Sequence, residues 1–200
     1  MDLFNETRRL SLADAQVEYH PAPDLGATAD ALFVALRREI PWEQHHVRIQ
    51  DRVIAQPRLS SWHGEVVHTY STLAHVLTPH PWTALLSGLR ARIEALTGGR
   101  FNSMLANLYR DGDDAIGWHS DNEPELGPAP LIASLSFGAE RRFAMRRRDD
   151  HAQVMRMTLG HGSLLVMSGA MQQHWQHALP RTRSIAGERI NLTYRLTKPG

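Results

Sequence analysis

Two kinds of periodicity divide the chain. Between Trp82 and Leu96 the apolar residues Leu85, Leu86, Leu89, Ile93 and Leu96 recur at three- and four-residue steps. That spacing places them on one stripe of an α-helix, and Gly98 follows as a stop. A shorter helix is expected earlier, where Thr28 offers a cap, Leu32, Phe33 and Leu36 supply the apolar face, and Ile40-Pro41-Trp42 ends the run. From Phe101 onward the helical period disappears. Short apolar segments alternate with Gly, Pro and Asp turns: FNSMLANLY, LIASLSFG, RRFAMRR, VMRMTL, SLLVMS, HWQHAL and INLTYRL. Many short strands punctuated by turns predict a sandwich or barrel. The expected fold class is therefore mainly β, with flanking helices covering a sheet. Residues 1–23 are expected to form an arm that packs on the domain through Leu3, Phe4, Leu10 and Leu12.

The last of these segments, RINLTYR, has two different faces. Side chains alternate along a strand, so Arg189, Asn191, Thr193 and Arg195 share one side while Ile190, Leu192 and Tyr194 share the other. Two arginines on an inward face are costly unless each meets an anion. A small dicarboxylate satisfies that requirement, because a guanidinium grips a carboxylate through paired, planar hydrogen bonds. Asn107 and Tyr109, also at i and i+2, add neutral polar groups from a neighbouring segment.

The segment NLYRDGDDAIGWHSDNE carries His119-x-Asp121. Residues i and i+2 point to one side of a strand but diverge on a helix, so the pair reads as borne by a strand or a strand end. With His177 in HWQHALP it makes a His/Asp/His set, the ligand type of the facial triad that leaves positions open on iron(II). H-x-D alone is weak in a chain with 12 histidines; the RINLTYR strand strengthens it. Trp118 and Trp175 beside these ligands read as core, as do Met155, Met157 and Met167.

A chain of 200 residues suits a single domain, here 1–200, with a substantial core. No run of about 18 or more apolar residues occurs, and the first residues lack a secretory pattern, so a soluble cytoplasmic protein with no membrane association is expected. The absence of cysteine excludes disulfides, thiolate zinc sites and a catalytic thiol. A formal net charge of +1 is not that of a strongly basic nucleic-acid binder, so any such role rests on local charge. Arg141, Arg142, Arg146, Arg147 and Arg148 are the densest basic cluster, with Arg181 and Arg183 another. By alternation Arg142, Arg146 and Arg148 face one way, and Arg141, Phe143, Met145 and Arg147 the other.

The blocks QPRLSSWHGE, FNSMLANLYRDGDDAIGWHSDNE, PLIASLSFGAERRF, LGHGSLLVMSG, HWQHALP and ERINLTYR resemble the AlkB family of iron(II)- and 2-oxoglutarate-dependent dioxygenases. The likeness covers roughly Pro41 to Arg195 and is greatest to the branch that includes the eukaryotic repair demethylases. It implies a double-stranded β-helix, or jelly roll, over residues 101–196, with a nucleotide-recognition lid over residues 44–70. It implies iron held by His119, Asp121 and His177. Arg189 would hold the far carboxylate of 2-oxoglutarate and Arg195 the end nearer the metal, with Asn107, Tyr109 and Asn191 completing the pocket. Trp62, His63 and Glu123 are the base contacts that the resemblance suggests, and Arg58, with Arg146, Arg147 and Arg148 of the basic cluster, is a further expected substrate contact. His63 stands where relatives usually carry tyrosine.

The implied reaction uses iron(II), 2-oxoglutarate and O2 to demethylate N-alkylated bases such as 1-methyladenine and 3-methylcytosine in DNA, releasing formaldehyde, succinate and carbon dioxide. The same chemistry on RNA or protein is the near alternative. A non-catalytic nucleic-acid-binding jelly roll and a hydrolytic zinc enzyme are the distant ones; the intact triad argues against the first, and the two arginines facing the metal against the second. No obligate protein partner is inferred.

Overall fold

The structure, a computed structural model, describes residues 6–49, 52–65, 68–69, 76–183 and 187–198. In chain order the elements are β1 (Arg8–Leu12), β2 (Ala15–His20), α1 (Ala29–Glu39), β3 (His46–Ile49), β4 (Arg52–Ala55), β5 (Leu59–Gly64), β6 (His68–Thr69), β7 (Val76–Leu77) and α2 (Ala84–Thr97). They continue as β8 (Ser103–Tyr109), β9 (Ile116–His119), β10 (Ile132–Gly138), β11 (Arg141–Arg147), β12 (Val154–Leu159), β13 (Ser163–Ser168), α3 (Met171–His174), β14 (Trp175–Leu179) and β15 (Arg189–Arg195). A seven-stranded sheet runs β1-β2-β13-β10-β15-β8-β5 and a four-stranded sheet runs β12-β11-β14-β9. Every pairing between these strands is antiparallel. The two facing sheets form the jelly roll expected from the strand-rich pattern.

Both predicted helices form where the caps and stripes put them. The Thr28 hydroxyl accepts from the Ala31 N–H, and the Thr83 hydroxyl from the Leu86 N–H. Each satisfies an N–H that has no partner inside its helix. Gly98 ends α2 at φ 69°, a left-handed conformation suited to glycine. Leu86, Leu89 and Ile93 face inward with Leu32 and Leu36 of α1, whereas Leu96, assigned to the same stripe, is exposed.

These helices cover one face of the larger sheet. Met104, Ala106 and Leu108 of β8, Leu135 and Phe137 of β10, and Ile190, Leu192 and Tyr194 of β15 all join that core. The alternate positions of the same strands turn between the sheets, and every residue of β8 and β15 is buried. A second apolar cluster, including Tyr19, Phe143, Met145, Met167 and Trp175, fills the interior beside the polar positions. The sandwich therefore has one dry region and one polar region, divided along the strands.

The N-terminal segment is more than an arm. Its strands β1 and β2 form a hairpin in which Asp14 takes φ 59° at the turn, and β2 pairs with β13 as part of the larger sheet. Leu10 and Leu12 pack against the second cluster, and Leu3 and Phe4 lie outside the described residues. The span assigned to the lid also divides. β3 and β4 make a separate hairpin, but β5 pairs with β8 in the larger sheet, so the core begins well before residue 101. Residues 50–51, 66–67 and 70 of that span lie outside the described residues. No helix among the described residues is long and apolar enough to cross a membrane.

Tyr19 tests the integral role of the hairpin. Its ring is in the second core cluster and its hydroxyl accepts from the Gly160 N–H at 3.2 Å. Tyr19→Ala should cost about 3–5 kcal/mol by chemical denaturation, whereas a loosely packed arm would leave the midpoint unchanged.

Candidate active site

His119 ends β9 and lies opposite His177 of β14 in the antiparallel register, with ring centroids 4.2 Å apart. Asp121 follows two residues beyond His119. One ligand-capable atom from each of the three lies within 4.8 Å of the others. Local contacts set their directions. His119 Nδ1 is 2.8 Å from the Gly117 carbonyl, which can only accept; the ring therefore donates there and keeps a lone pair on Nε2. The Asp121 N–H donates to Gln172 Oε1 at 2.9 Å, which ties the turn after β9 to α3.

Charge states follow from burial and neighbours. Burial opposes ionisation of Asp121, but Arg195, His177 and His119 outweigh it and hold the carboxyl at about 2. Burial, reinforced by His119, lowers His177 to about 3, and burial lowers His119 despite Asp121. The site presents two neutral imidazoles and a carboxylate at neutral pH. His177 Nδ1 is buried without a hydrogen-bond partner. This donor set and its unsatisfied nitrogen fit a divalent metal of the iron(II) type.

The polar side of the site comes from three adjacent strands. Arg189 pairs with Tyr109 and Asn191 with Asn107 across β15 and β8. On the other flank Arg189 Nη2 donates to Ser136 Oγ at 2.8 Å, and Asn191 Nδ2 donates to Ser134 Oγ at 2.8 Å. Arg195 meets Asp121 at 2.9 Å. Arg189 is only 2% exposed, and no carboxylate among the described residues is ion-paired with it. Burial lowers its pKa to about 10, opposed by Tyr109, so it remains a cation at neutral pH. Arg189, Asn191, Asn107 and Arg195 open with the His/Asp/His set into one cavity of about 790 Å³.

The implied substrate contacts separate on the structure. Glu123 lines the cavity; burial and then Asp121 raise its pKa, and its Oε2 has no partner. Arg58 also lines it, but donates from Nε to Asn107 Oδ1 at 2.9 Å and so touches the side that carries Asn191 and Arg189. Trp62 is buried opposite Leu105. His63, one position on, faces the helix side instead: it pairs with Met104, and its ring is 3.1 Å from both the Ser61 hydroxyl and the Pro81 carbonyl. It does not reach the cavity. Arg147 ion-pairs with Asp14 at 3.0 Å and Asp149 at 2.8 Å, which removes it from the open basic surface. Arg146 donates to Gln176 and lies over the Trp118 ring, 4.4 Å from its centroid. Arg148 continues the hairpin, its N–H donating to the His174 carbonyl.

Some residues lay outside the sequence reading. Trp118, assigned to the core, is 38% exposed at the cavity. Ser134 and Ser136 have a detectable signal, because in LIASLSFG they alternate with Ala133, Leu135 and Phe137. Gln172 has none, since its role depends on a contact across the fold.

The histidine shift gives a pH dependence with a definite sign. The unfolded chain takes up a proton at His177 near its ordinary 6.5, while the folded chain resists until about 3. Stability of the metal-free protein should therefore fall as pH drops from 6.5 toward 3, with Asp121 adding to the loss between 3.8 and about 2. Thermal melts of His177→Gln should show a flatter slope between these histidine limits; an unchanged slope would refute the assignment.

A family model of the 2OG-Fe(II) oxygenase superfamily matches residues 23–195. Alpha-ketoglutarate-dependent dioxygenase alkB homolog 3 of Bos taurus is 45% identical over 179 residues, covering 86% of this chain and 62% of the relative. The Homo sapiens protein of that name is 44% identical over 179 residues, with the same coverage. DNA oxidative demethylase ALKBH2 of Mus musculus is 38% identical over 183 residues, covering 86% of this chain and 77% of the relative. The chain thus spans somewhat less than two thirds of the alkB homolog 3 proteins. The solved structure of OsALKBH1 gives a TM-score of 0.63 at 14% identity, over 94% of this chain and 99% of that one, which supports the fold alone. With the triad and the twin-arginine strand in one cavity, the chain belongs to the AlkB group of the 2OG-Fe(II) oxygenase superfamily.

Proposed function

We propose that this protein is an iron(II)- and 2-oxoglutarate-dependent dioxygenase that removes N-methyl groups from alkylated bases such as 1-methyladenine and 3-methylcytosine in DNA. The observation that carries the reading is the buried Arg189 cation facing the same cavity as His119, Asp121 and His177. A metal triad alone suits many reactions. A triad beside a buried guanidinium that needs an anion suits a metal-bound dicarboxylate.

His119, Asp121 and His177 would hold the iron, and at neutral pH none has to lose a proton to do so. Arg189, oriented by Ser136 and flanked by Tyr109, would hold the distal carboxylate. When bound, iron(II) with 2-oxoglutarate and O2 supplies an oxidation that puts one oxygen atom into the N-methyl group and the other into succinate as carbon dioxide leaves. The hydroxymethylated base then breaks its C–N bond, releasing formaldehyde as the hydroxyl proton passes to the nitrogen. No side chain acts as a nucleophile. The chain positions the reactants and limits water at the buried end. A base must leave its stack to reach this depth, and Glu123 lines the cavity it would occupy.

Local charge supports a nucleic-acid substrate, as do the relatives named as DNA oxidative demethylases. Arg142 and Arg146 share the outer face of β11, and Arg156 lies beside them on β12, opposite Ala144. None of the three is ion-paired among the described residues. They are open to phosphates in a way that Arg141 and Arg147 are not.

The direct test is anaerobic loading with iron(II) and 2-oxoglutarate, then oxygen and single-stranded DNA containing 1-methyladenine or 3-methylcytosine, with bases and succinate followed by mass spectrometry. Base restoration dependent on both additives is expected. Succinate without restoration would redirect the substrate to RNA or protein, and neither product would end the oxygenase reading. In this assay Asp121→Ala should abolish turnover with the fold retained by circular dichroism. Arg189→Ala should raise the KM for 2-oxoglutarate by about two orders of magnitude, the scale of losing a charged hydrogen-bonded pair; an unchanged KM would displace the carboxylate clamp. Replacing Arg142, Arg146 and Arg156 together with Ala should weaken oligonucleotide binding across sequences and reduce its log–log salt slope by about 2. An unchanged slope would make this face a solvated surface only.

A further inference from the structure

Arg141 opens β11 and, unlike the exposed Arg142, turns into the sandwich, where it is 2% exposed. Its guanidinium donates to main-chain carbonyls: Nη1 to Asp111 at 2.9 Å, and Nη2 to Asp114 at 2.9 Å and Pro180 at 2.8 Å. These acceptors belong to two segments, the turn that follows β8 and the stretch that follows β14. The turn is also braced internally. The Arg110 N–H donates to the Asp114 carboxylate at 2.9 Å, and the Arg110 guanidinium pairs with it at 2.7 and 2.8 Å. The Thr182 N–H donates to the Gly112 carbonyl, and a Cβ on Gly112 would come within 2.3 Å of the Thr182 carbonyl oxygen. Substitution there would force the segments apart.

Tyr109 is the last residue of β8 before this turn. The guanidinium carbons of Arg141 and Arg189 lie over its ring, 5.9 and 5.2 Å from the centroid. A cation over an aromatic ring is attracted to its face, so the ring links the carboxylate-seeking Arg189 to the arginine that holds the turn.

We propose that Arg141 is a positioning residue for the co-substrate: by clamping the turn after β8 to the stretch after β14, it fixes Tyr109 beneath Arg189. This rests on the reading that Arg189 receives 2-oxoglutarate. The metal ligands are held by other contacts: His119 lies opposite His177, and Asp121 is bound by Gln172 and Arg195. Loss of Arg141 should therefore weaken the dicarboxylate while sparing the metal.

The test uses the full chain as Arg141→Met and Arg141→Lys. Titration calorimetry would measure Mn(II) binding and then 2-oxoglutarate binding to the Mn(II)-loaded protein, with KM and kcat followed in parallel. Arg141→Met should weaken 2-oxoglutarate about tenfold, the scale of losing an outer hydrogen-bonded support. Mn(II) affinity should hold, KM should rise more than kcat falls, and Arg141→Lys, which keeps the charge without the fork, should fall between. Wild-type 2-oxoglutarate affinity in a folded Met variant would overturn the inference. Equal loss of Mn(II) and 2-oxoglutarate would overturn it too, making Arg141 a general structural group. If the Met variant does not fold, wild-type 2-oxoglutarate affinity in the Lys variant overturns the inference just as well. A wild-type protein that binds Mn(II) but no 2-oxoglutarate would refute the functional reading itself, before either variant is compared.

Discussion

Positive charge buried inside a β-sandwich is the constraint around which this molecule is built. β15 runs through the larger sheet between β10 and β8 and carries Arg189 and Arg195 on its inward face. An unpaired buried charge is among the costliest features a fold can hold. Arg195 is compensated by Asp121 at 2.9 Å, and that contact also keeps the carboxylate ionised and directed toward the two histidines. Arg189 meets a serine hydroxyl and an aromatic face. On the proposed function, its remaining demand for an anion would connect the electrostatics of the fold to a dicarboxylate ligand.

The two sheets divide the work. The larger sheet is stiffened from outside by α1 and α2, whose leucines pack against alternate residues of β8, β10 and β15. That packing fixes the register that gathers Tyr109, Asn107, Ser134 and Ser136 around Arg189 and Asn191. The smaller sheet supplies the metal side through the pairing of His119 with His177. Asp121 spans the gap, with its backbone bound to Gln172 and its carboxylate to Arg195. Each sheet contributes half of the chemistry.

Much of this was legible because period-two alternation is a local property. RINLTYR announced its two faces, H-x-D announced a shared direction, and the helix caps and leucine stripes marked α1 and α2 closely. What escaped depended on distant partners. The edge that β13 offers β2 is such a partner, although AQVEYH, with Ala15, Val17 and Tyr19 alternating with Gln16, Glu18 and His20, carries a strand signal of its own. His63 lies one residue from a cavity-facing parity, and a single step on a strand reverses the side chain. Arg147 looked like its basic neighbours until the fold brought Asp14 to it from the N-terminal hairpin. Trp118 read as core because a tryptophan beside a metal ligand commonly is, but its place on β9 leaves it exposed beneath Arg146.

The most direct measurement is a crystal structure with Mn(II) and 2-oxoglutarate, using anomalous scattering to locate the metal. One strong peak bounded by His119, Asp121 and His177 is expected, with the dicarboxylate extending from the metal to the Arg189 guanidinium. A peak outside that triad, or a 2-oxoglutarate whose far carboxylate does not meet Arg189, would contradict that arrangement.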